Sequence, residues 1–489
     1  MSPLVAVLVV LTALLLSTTY HKYSRLSHIP GPFWARFTGF WITWKLWHHE
    51  SMADIMLDLD RKYGPVVLIA PNNVVFSDPV VIPIIYATAR PYKKALSYEP
   101  ATPLVNGRLQ DSFVTTRDEA RVSAIKKHIN SAFTAAAIGS YESHVDEGIR
   151  LFISRVRDAA AQDNKVDFVR WMKLFSFETL CRIAFSDGNF SEQDVQDTLR
   201  GAIERFDHWY FWFFLPKLEK LLFKNPFVLG SRGSSLLGRR AVARVQERHA
   251  VGGVGMHSDL LESYLKGNRK APDTFTEGTV VGLVISTIHA GSETTGSTLT
   301  DVIRQLLLHP QCLKDLVTEL EAAQLTSPPT FASVSKLEYL EAVIKESMRL
   351  NLVSHAPLER EVPDGGANIG GVHIPGGTAV ALNVQGLSLR EDVWGSEPEE
   401  FRPHRWLKAD QGQRARMERA WSGFGHGKRM CIGQHIAWIE MKKLLPEILL
   451  NFDMKLVYPD HPVKYYNTIV GVPTEMWLDI HLRNRELIT

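Results

Sequence analysis

One cysteine, Cys431, stands in the glycine-rich decapeptide Phe424-Gly-His-Gly-Lys-Arg-Met-Cys-Ile-Gly433, beside the cations Lys428 and Arg429. A helical pattern follows from about Gln434 to Leu450. Glycine permits tight turns and lets a backbone approach a flat ligand closely. Nearby cations and a helix N-terminus lower a thiol's pKa towards thiolate. A thiolate held in this way is a soft metal ligand. A buried structural cysteine is the plainer alternative for any lone Cys, and the composition of the loop argues against it.

A second feature, Glu293-Thr294, lies in His289-Ala-Gly-Ser-Glu-Thr-Thr295, inside an uninterrupted helical pattern from about Phe275 to Leu308. Gly291 and Gly296 each cost such a helix about 1 kcal/mol relative to alanine. They ask for a kink, or for the close approach of something bulky. An acid beside a hydroxyl at that weak point can pass protons. The bland alternative is a helix-packing glycine beside a solvated Glu-Thr pair. Third, Glu346 and Arg349 lie three residues apart in Lys345-Glu-Ser-Met-Arg-Leu350 and so share a helix face. Alone, such a pair is surface decoration worth under about 0.5 kcal/mol.

The scaffold that must position these groups reads as mainly helical with a small β region. Residues 51–63 form a helical pattern, and Val66–Ala70 with Val74–Phe76 a short hairpin. From about Arg117 to Leu308 helix dominates, with breaks near Ser186-Asp187-Gly188, Leu215-Pro216 and Gly252-Gly253. A β-rich stretch over 361–381 is punctuated by glycine pairs at 365–366, 370–371 and 376–377. Helix returns around 431–450, and short strands close the chain. No linker, charge block or repeat divides the 489 residues, 45% of them hydrophobic, so one large domain is expected over 33–489. Fifty-five Lys and Arg against 53 Asp and Glu give no pull on polyanions, which argues against nucleic acid. Three cysteines are too few for a disulfide framework and fit a reducing compartment. Cys181 and Cys312 read as packing residues.

Residues 2–20 carry no charged side chain, and as a helix they would span about 28 Å, close to an ER bilayer of roughly 27 Å. His21, Lys22, Arg25 and His28 follow, and no basic side chain precedes. The segment therefore reads as a transmembrane anchor over 1–20 with the body on the cytosolic side. A cleaved signal peptide is the rival, but it lacks a positive n-region and a clear cleavage site. Residues 21–32 form a basic, proline-rich hinge ending in Pro30-Gly31-Pro32. Asn189-Phe-Ser191 is a glycosylation sequon that a cytosolic body would leave unused.

The spacing Phe424-x-x-Gly427-x-Arg429-x-Cys431-x-Gly433 resembles the haem-binding signature of the cytochrome P450 superfamily. Residues 289–295 resemble its oxygen-activation motif. Glu346 and Arg349, with Arg405 in Phe401-Arg-Pro-His-Arg-Trp406, resemble its Glu-x-x-Arg helix and the later arginine of a buried triad. The motifs lie in the family's order, and with anchor and hinge the resemblance covers essentially the whole chain. Residues Tyr63–Pro71 and Tyr141–Asp146 look most like fungal members of the pisatin-demethylase-like group.

The resemblance implies the cytochrome P450 fold and a microsomal haem-thiolate monooxygenase, single-pass in the endoplasmic reticulum membrane. It implies haem b as cofactor, with Cys431 as axial iron ligand and Phe424, Gly427 and Gly433 shaping its seat. Arg429 and Arg360 are the expected propionate contacts. A third usually comes from a helix that here matches neither family version, which leaves Arg121, Lys126 and Lys127 as open candidates. Thr294 and Glu293 are given the proton delivery, and Glu346, Arg349 and Arg405 the support of the Cys loop. NADPH would act through cytochrome P450 reductase, with cytochrome b5 as a second donor. A basic surface of Lys126, Lys127, Arg414, Arg416, Arg419, Lys428, Lys442 and Lys443 would steer that donor. A lipophilic small molecule of secondary metabolism is the implied substrate. Ile285, Ile288, Ala290, Val353–Leu358 and Ile469–Val472 would line its pocket. The aromatic run Phe206–Phe214 reads as pocket roof or membrane contact, with plain core as the alternative. Two other classes share the loop: a haem-thiolate isomerase or dehydratase working without O2, and a catalytically silent haem-binding protein. Glu293-Thr294 argues against the first, and the complete motif set against the second.

Overall fold

The computed structural model describes Val5, Tyr20 and residues 23–483, apart from 111, 187, 189–191, 230–232 and 251–256. The expected anchor, the Asn189 sequon and the break at Gly252-Gly253 lie outside the described residues, Val5 and Tyr20 excepted. Among the described residues, no helix is long and apolar enough to cross a membrane.

Helices dominate, as the pattern requires. Those that matter for the site are α1 (Phe40–Trp47), α2 (Met52–Tyr63), α3 (Glu119–Ile129), α4 (Phe168–Phe185), α5 (Glu192–Trp212), α6 (Glu277–Leu308), α7 (Glu338–Leu350) and α8 (Gln434–Asn451). Local chemistry sets their ends. Ser51 Oγ accepts from Asp54 N–H at the start of α2, and Thr276 Oγ1 accepts from Thr279 N–H at the start of α6. Ser186 closes α4 with a left-handed φ of 55°.

A four-stranded sheet is built from β1 (Val66–Ala70), β2 (Asn73–Phe76), β3 (Arg360–Glu361) and β4 (Ala379–Leu382), in the order β1-β2-β4-β3. The β2–β4 pair is parallel, with Val74 opposite Val380, and the other pairs are antiparallel. The hinge is pinned to this sheet, because Leu68 N–H donates to Pro30 O at 2.8 Å.

The main apolar core lies around α6, with α4, α7 and α8 packed against it. Cys181 is buried in that core and Cys312 is half-buried against it, so both are packing residues. Gly291 and Gly296 of α6 face α4. A Cβ on Gly291 would lie 2.8 Å from the Leu180 side chain, and one on Gly296 3.0 Å from Met172 O. Close helix packing, with α6 unbroken, is the reason for their cost.

Candidate active site

The Cys431 loop is folded on itself before α8 begins. Cys431 N–H donates to Phe424 O at 2.9 Å, Gly425 N–H to Ser422 O at 2.9 Å, and Met430 N–H to Gly427 O at 3.0 Å. Gly427 has φ of 67°, and a Cβ there would lie 1.8 Å from Tyr86 O, so no other residue fits. The Phe424 ring stands between Trp421 and Trp438, with centroids 5.9 Å from each. Cys431 exposes its surface to an internal cavity of about 380 Å³. Burial pushes its thiol pKa up, while the Gly433 backbone N–H and the Lys126 charge pull it down.

The expected cations therefore act elsewhere. Arg429 donates to Glu119 Oε1 at 2.8 Å and to the carbonyls of Phe113 and Thr116, and Lys428 lies 3.7 Å from Glu119. Lys126, on α3, is the cation felt by the thiol, and its amine donates to Lys428 O.

Opposite the loop, α6 gives the cavity one stripe of side chains: Leu283, Ser286, Thr287, Ala290, Gly291 and Thr294, continued by Thr295 and Thr298. This spacing is one helix face. Ile285 and Ile288 lie off it and are buried in the core instead. Consecutive residues on a helix point roughly 100° apart, so Thr294 and Glu293 cannot both face the cavity squarely. The structure brings Thr294 to the wall, where its hydroxyl donates to Ala290 O at 2.7 Å. Glu293 is fully buried towards α4, with Lys173 Nζ 3.6 Å from its carboxylate. Burial raises its pKa, and neither oxygen has a hydrogen-bond partner among the described residues.

Another acid does line the cavity. Glu440, on α8, is buried with no hydrogen-bond partner for its Oε1 among the described residues, and burial pushes its carboxyl up to about 8 despite a hydrogen bond from Thr295. Its signal was in the sequence. It shares a helix face with Gly433, Ile436, Ala437 and Met441, an acid on an otherwise apolar stripe. The remaining wall includes Phe113, Val114, Leu180, Val353, Ala356 and Leu358. Ile469–Val472 do not reach it. They hold the 353–356 segment from behind, with His355 N–H donating to Ile469 O at 2.9 Å and Gly471 N–H to Val353 O at 3.0 Å.

Glu346, Arg349 and Arg405 come together as one buried network. Arg349 grips both Glu346 oxygens at 2.9 Å, and Arg405 Nε donates to Oε1 at 2.8 Å. Trp406 Nε1 and Arg402 N–H complete the carboxylate's partners. Burial alone would raise the Glu346 pKa, but the Arg349 hydrogen bonds and the two guanidinium charges hold it below the usual carboxylate range. Trp421 Nε1 donates to Lys345 O at 3.1 Å, which ties α7 to the segment leading into the Cys loop.

Two further expectations are corrected. Lys442 and Lys443 are not surface charges: Lys442 pairs with Glu341 at 2.7 Å, and buried Lys443 with Glu142 at 2.5 Å and Asp146 at 2.6 Å. Lys127, Arg414, Arg416 and Arg419 are exposed. In the aromatic run, Phe206, Trp209, Tyr210, Phe213 and Phe214 are buried, so the plain core reading holds for them. Among the exposed apolar side chains, Phe33, Trp34, Phe40, Trp44, Leu218, Leu221, Leu222 and Phe227 lie on segments near that run. Ring contacts run from Phe40 to Trp47, from Trp47 to Trp212 and from Trp212 to Phe223, and so join the two groups through the run. Of the propionate candidates, Arg121 turns to Thr279 Oγ1 at 3.2 Å, Lys126 turns to Lys428 O, and Lys127 faces out.

Haem fits these residues. A Cβ on Gly433 would meet nothing nearer than Cys431 Sγ at 4.0 Å among the described residues, so space is open beside the sulfur. The cavity wall is mostly apolar and carries one thiol and the buried Arg429 among its few polar groups, an arrangement suited to a flat apolar group with an anionic edge.

A family model described as Cytochrome P450 matches residues 29–476. Among characterised proteins, the chain is 33% identical over 451 residues to a cytochrome P450 monooxygenase of Aspergillus terreus, covering 88% of this chain and 91% of that one. It is 32% identical over 483 residues to the cytochrome P450 monooxygenase cicH of Emericella nidulans, covering 94% of each. A third relative, mfmA of Annulohypoxylon moriforme, is 29% identical over 464 residues, 90% of this chain and 89% of that one.

Proposed function

The chain belongs to the cytochrome P450 family and is a haem-thiolate monooxygenase, and on that footing we propose that it oxidises a lipophilic small molecule of fungal secondary metabolism with electrons from NADPH. The observation that carries this reading is the largely apolar cavity with Cys431 on one wall and Thr294 on another. Haem b held there would supply dioxygen activation and the transfer of one oxygen atom to carbon. Cys431 would ligate the iron, and Arg429 and Arg360 would meet the propionates. Phe424, Gly427 and Gly433 shape the seat, and Glu346, Arg349 and Arg405 hold the loop's approach. Phe113, Val114, Leu180, Ala356 and Leu358 exclude water and present an apolar substrate to the reacting face. The Thr294 hydroxyl stands at the cavity wall to pass a proton, and Glu293, buried towards α4 beside Lys173, would have to turn from that side to resupply it.

Residues 1–20 serve as a single-pass anchor in the endoplasmic reticulum membrane, 21–32 as hinge and 33–489 as the catalytic domain on the cytosolic side. The exposed aromatic and leucine side chains beside α1 and α5 would rest on that bilayer. Electrons reach the protein from NADPH–cytochrome P450 reductase, with cytochrome b5 as a second donor. Exposed Lys127, Arg414, Arg416 and Arg419 favour an acidic partner.

The test is turnover of a lipophilic compound panel with reductase, NADPH and O2. Product is expected to depend on both co-substrates. Thr294→Ala should lower product formed per NADPH by about tenfold, the surplus electrons leaving as hydrogen peroxide. Product made without NADPH and O2 would place the protein among isomerases instead.

A further inference from the structure

The face of α6 that lines the cavity carries two hydroxyls, Ser286 and Thr287, about two turns before Thr294, and no step of the proposed reaction uses them. A third, the Tyr264 phenol on the helix Leu260–Lys270, lines the cavity with them. Ser286 and Tyr264 are buried, and Thr287 is half-buried.

Each hydroxyl has one proton to donate, and partners that can only accept decide where it goes. Ser286 Oγ lies 2.7 Å from Gly282 O, and Thr287 Oγ1 lies 2.9 Å from Leu283 O. A backbone carbonyl only accepts, so both protons are turned back into the helix. In their other contacts Ser286 and Thr287 therefore accept. Ser112 donates to Ser286 Oγ at 2.9 Å, and Tyr264 donates to Thr287 Oγ1 at 2.8 Å. Ser112 Oγ accepts in turn from Val114 N–H at 3.2 Å. Burial raises the Tyr264 pKa, which keeps that proton in place. Every hydroxyl proton of the patch is thus committed within the protein. Lone pairs of Ser286, Thr287 and Tyr264 are what it has left to offer the cavity. The same segments surround it with apolar lining from Leu283, Ala290, Leu260, Phe113 and Val114.

We propose that Ser286, Thr287 and Tyr264 form a specificity site that accepts a hydrogen bond from a neutral donor on the substrate, an alcohol or a phenol. The proposal deepens the monooxygenase reading above and rests on it. A carbonyl or ether oxygen at the same place would set lone pairs against lone pairs, with no proton between them. A site built for a donor discriminates against the analogue that lacks it, because its own polar atoms are then left unpaired. Ser286 and Thr287 precede Thr294 by eight and seven residues, about 10–12 Å along the helix. The substrate is thereby held by its donor at one end and oxidised roughly 10 Å further along its apolar body.

The experiment measures binding to the holoenzyme by titration calorimetry for two matched pairs: 4-heptylphenol with its methyl ether, and 4-phenylcyclohexanol with 4-phenylcyclohexanone. Wild type should bind the hydroxyl member of each pair at least tenfold more tightly, equivalent to about 1.4 kcal/mol. Ser286→Ala and Thr287→Val each remove an acceptor and should shrink that preference at least threefold. Thr287→Val also strips the Tyr264 proton of its partner, so the ketone should bind this variant more tightly than it binds wild type. A merely steric role would not produce that gain. With reductase and NADPH, oxidation of 4-heptylphenol should fall on the alkyl chain. Equal binding within the pairs, tighter binding of ether and ketone by wild type, or no binding by any of the four overturns the proposal. So does a preference that both substitutions leave unchanged, or oxidation of the ring beside the phenol. If one variant yields no folded holoenzyme, the other decides in the same way. A wild type without the thiolate spectrum would strike at Cys431 instead, and leaves the preference within each pair to decide for Ser286 and Thr287.

Discussion

Glu440 sets the pH behaviour of the cavity at the scale of single residues. Its carboxyl is raised to about 8, against 4.5 for an ordinary glutamate, chiefly by burial. Below about pH 4.5 folded and unfolded chains both hold the proton. Between there and pH 8 the unfolded chain releases it and the folded one keeps it, so this residue makes stability fall as pH rises. The slope is at most about 1.4 kcal/mol per pH unit. Glu440→Gln should therefore gain on wild type steadily from pH 5 to pH 8 in urea unfolding, and parallel curves would remove the assignment. Cys431, Arg429 and Thr294 were legible because each sits in a motif whose spacing is itself informative. Glu440 was not singled out. Its role comes from burial among residues distant in sequence, such as Thr295. The direction of Glu293 was missed for a simpler reason, since neighbours on a helix diverge by about 100°.

Elements carry the support of the Cys loop. Removing Glu346 would leave Arg349 and Arg405 buried without their shared carboxylate, an uncompensated charge costing roughly 3–5 kcal/mol. Glu346→Ala should lose about that much in urea unfolding. A loss under about 1 kcal/mol would reduce the triad to ordinary surface pairing. Most elements followed from the sequence. Helix α2 spans Met52–Tyr63 where 51–63 was expected, and α6 spans Glu277–Leu308 where 275–308 was expected. The hairpin at β1 and β2 and the strands between 360 and 382 also lie where turn residues placed them. What periodicity could not give was which helix each face meets. The Gly291 and Gly296 face turned out to answer to α4, and Ile285 and Ile288 to the core.

At the scale of the whole molecule, the fold brings a loop near residue 431 and a helix near residue 294 to opposite walls of one apolar cavity. That meeting is what turns a cysteine motif into a site where a lipophilic carbon can stand near a thiolate-ligated metal. It depends on long-range packing, so no single stretch of sequence contains it. The aromatic run illustrates the same limit. Its density marked the region as important, but its buried rings serve as core, and the exposed apolar side chains belong to its neighbours. The central claim, that Cys431 ligates haem iron as a thiolate, is tested most directly by the reduced, carbon-monoxide-bound difference spectrum of the wild type beside Cys431→Ala. A strongly red-shifted Soret band in the wild type, absent from the variant, is the predicted result. A haem-loaded wild type without that band, or a variant that keeps it, would contradict the assignment.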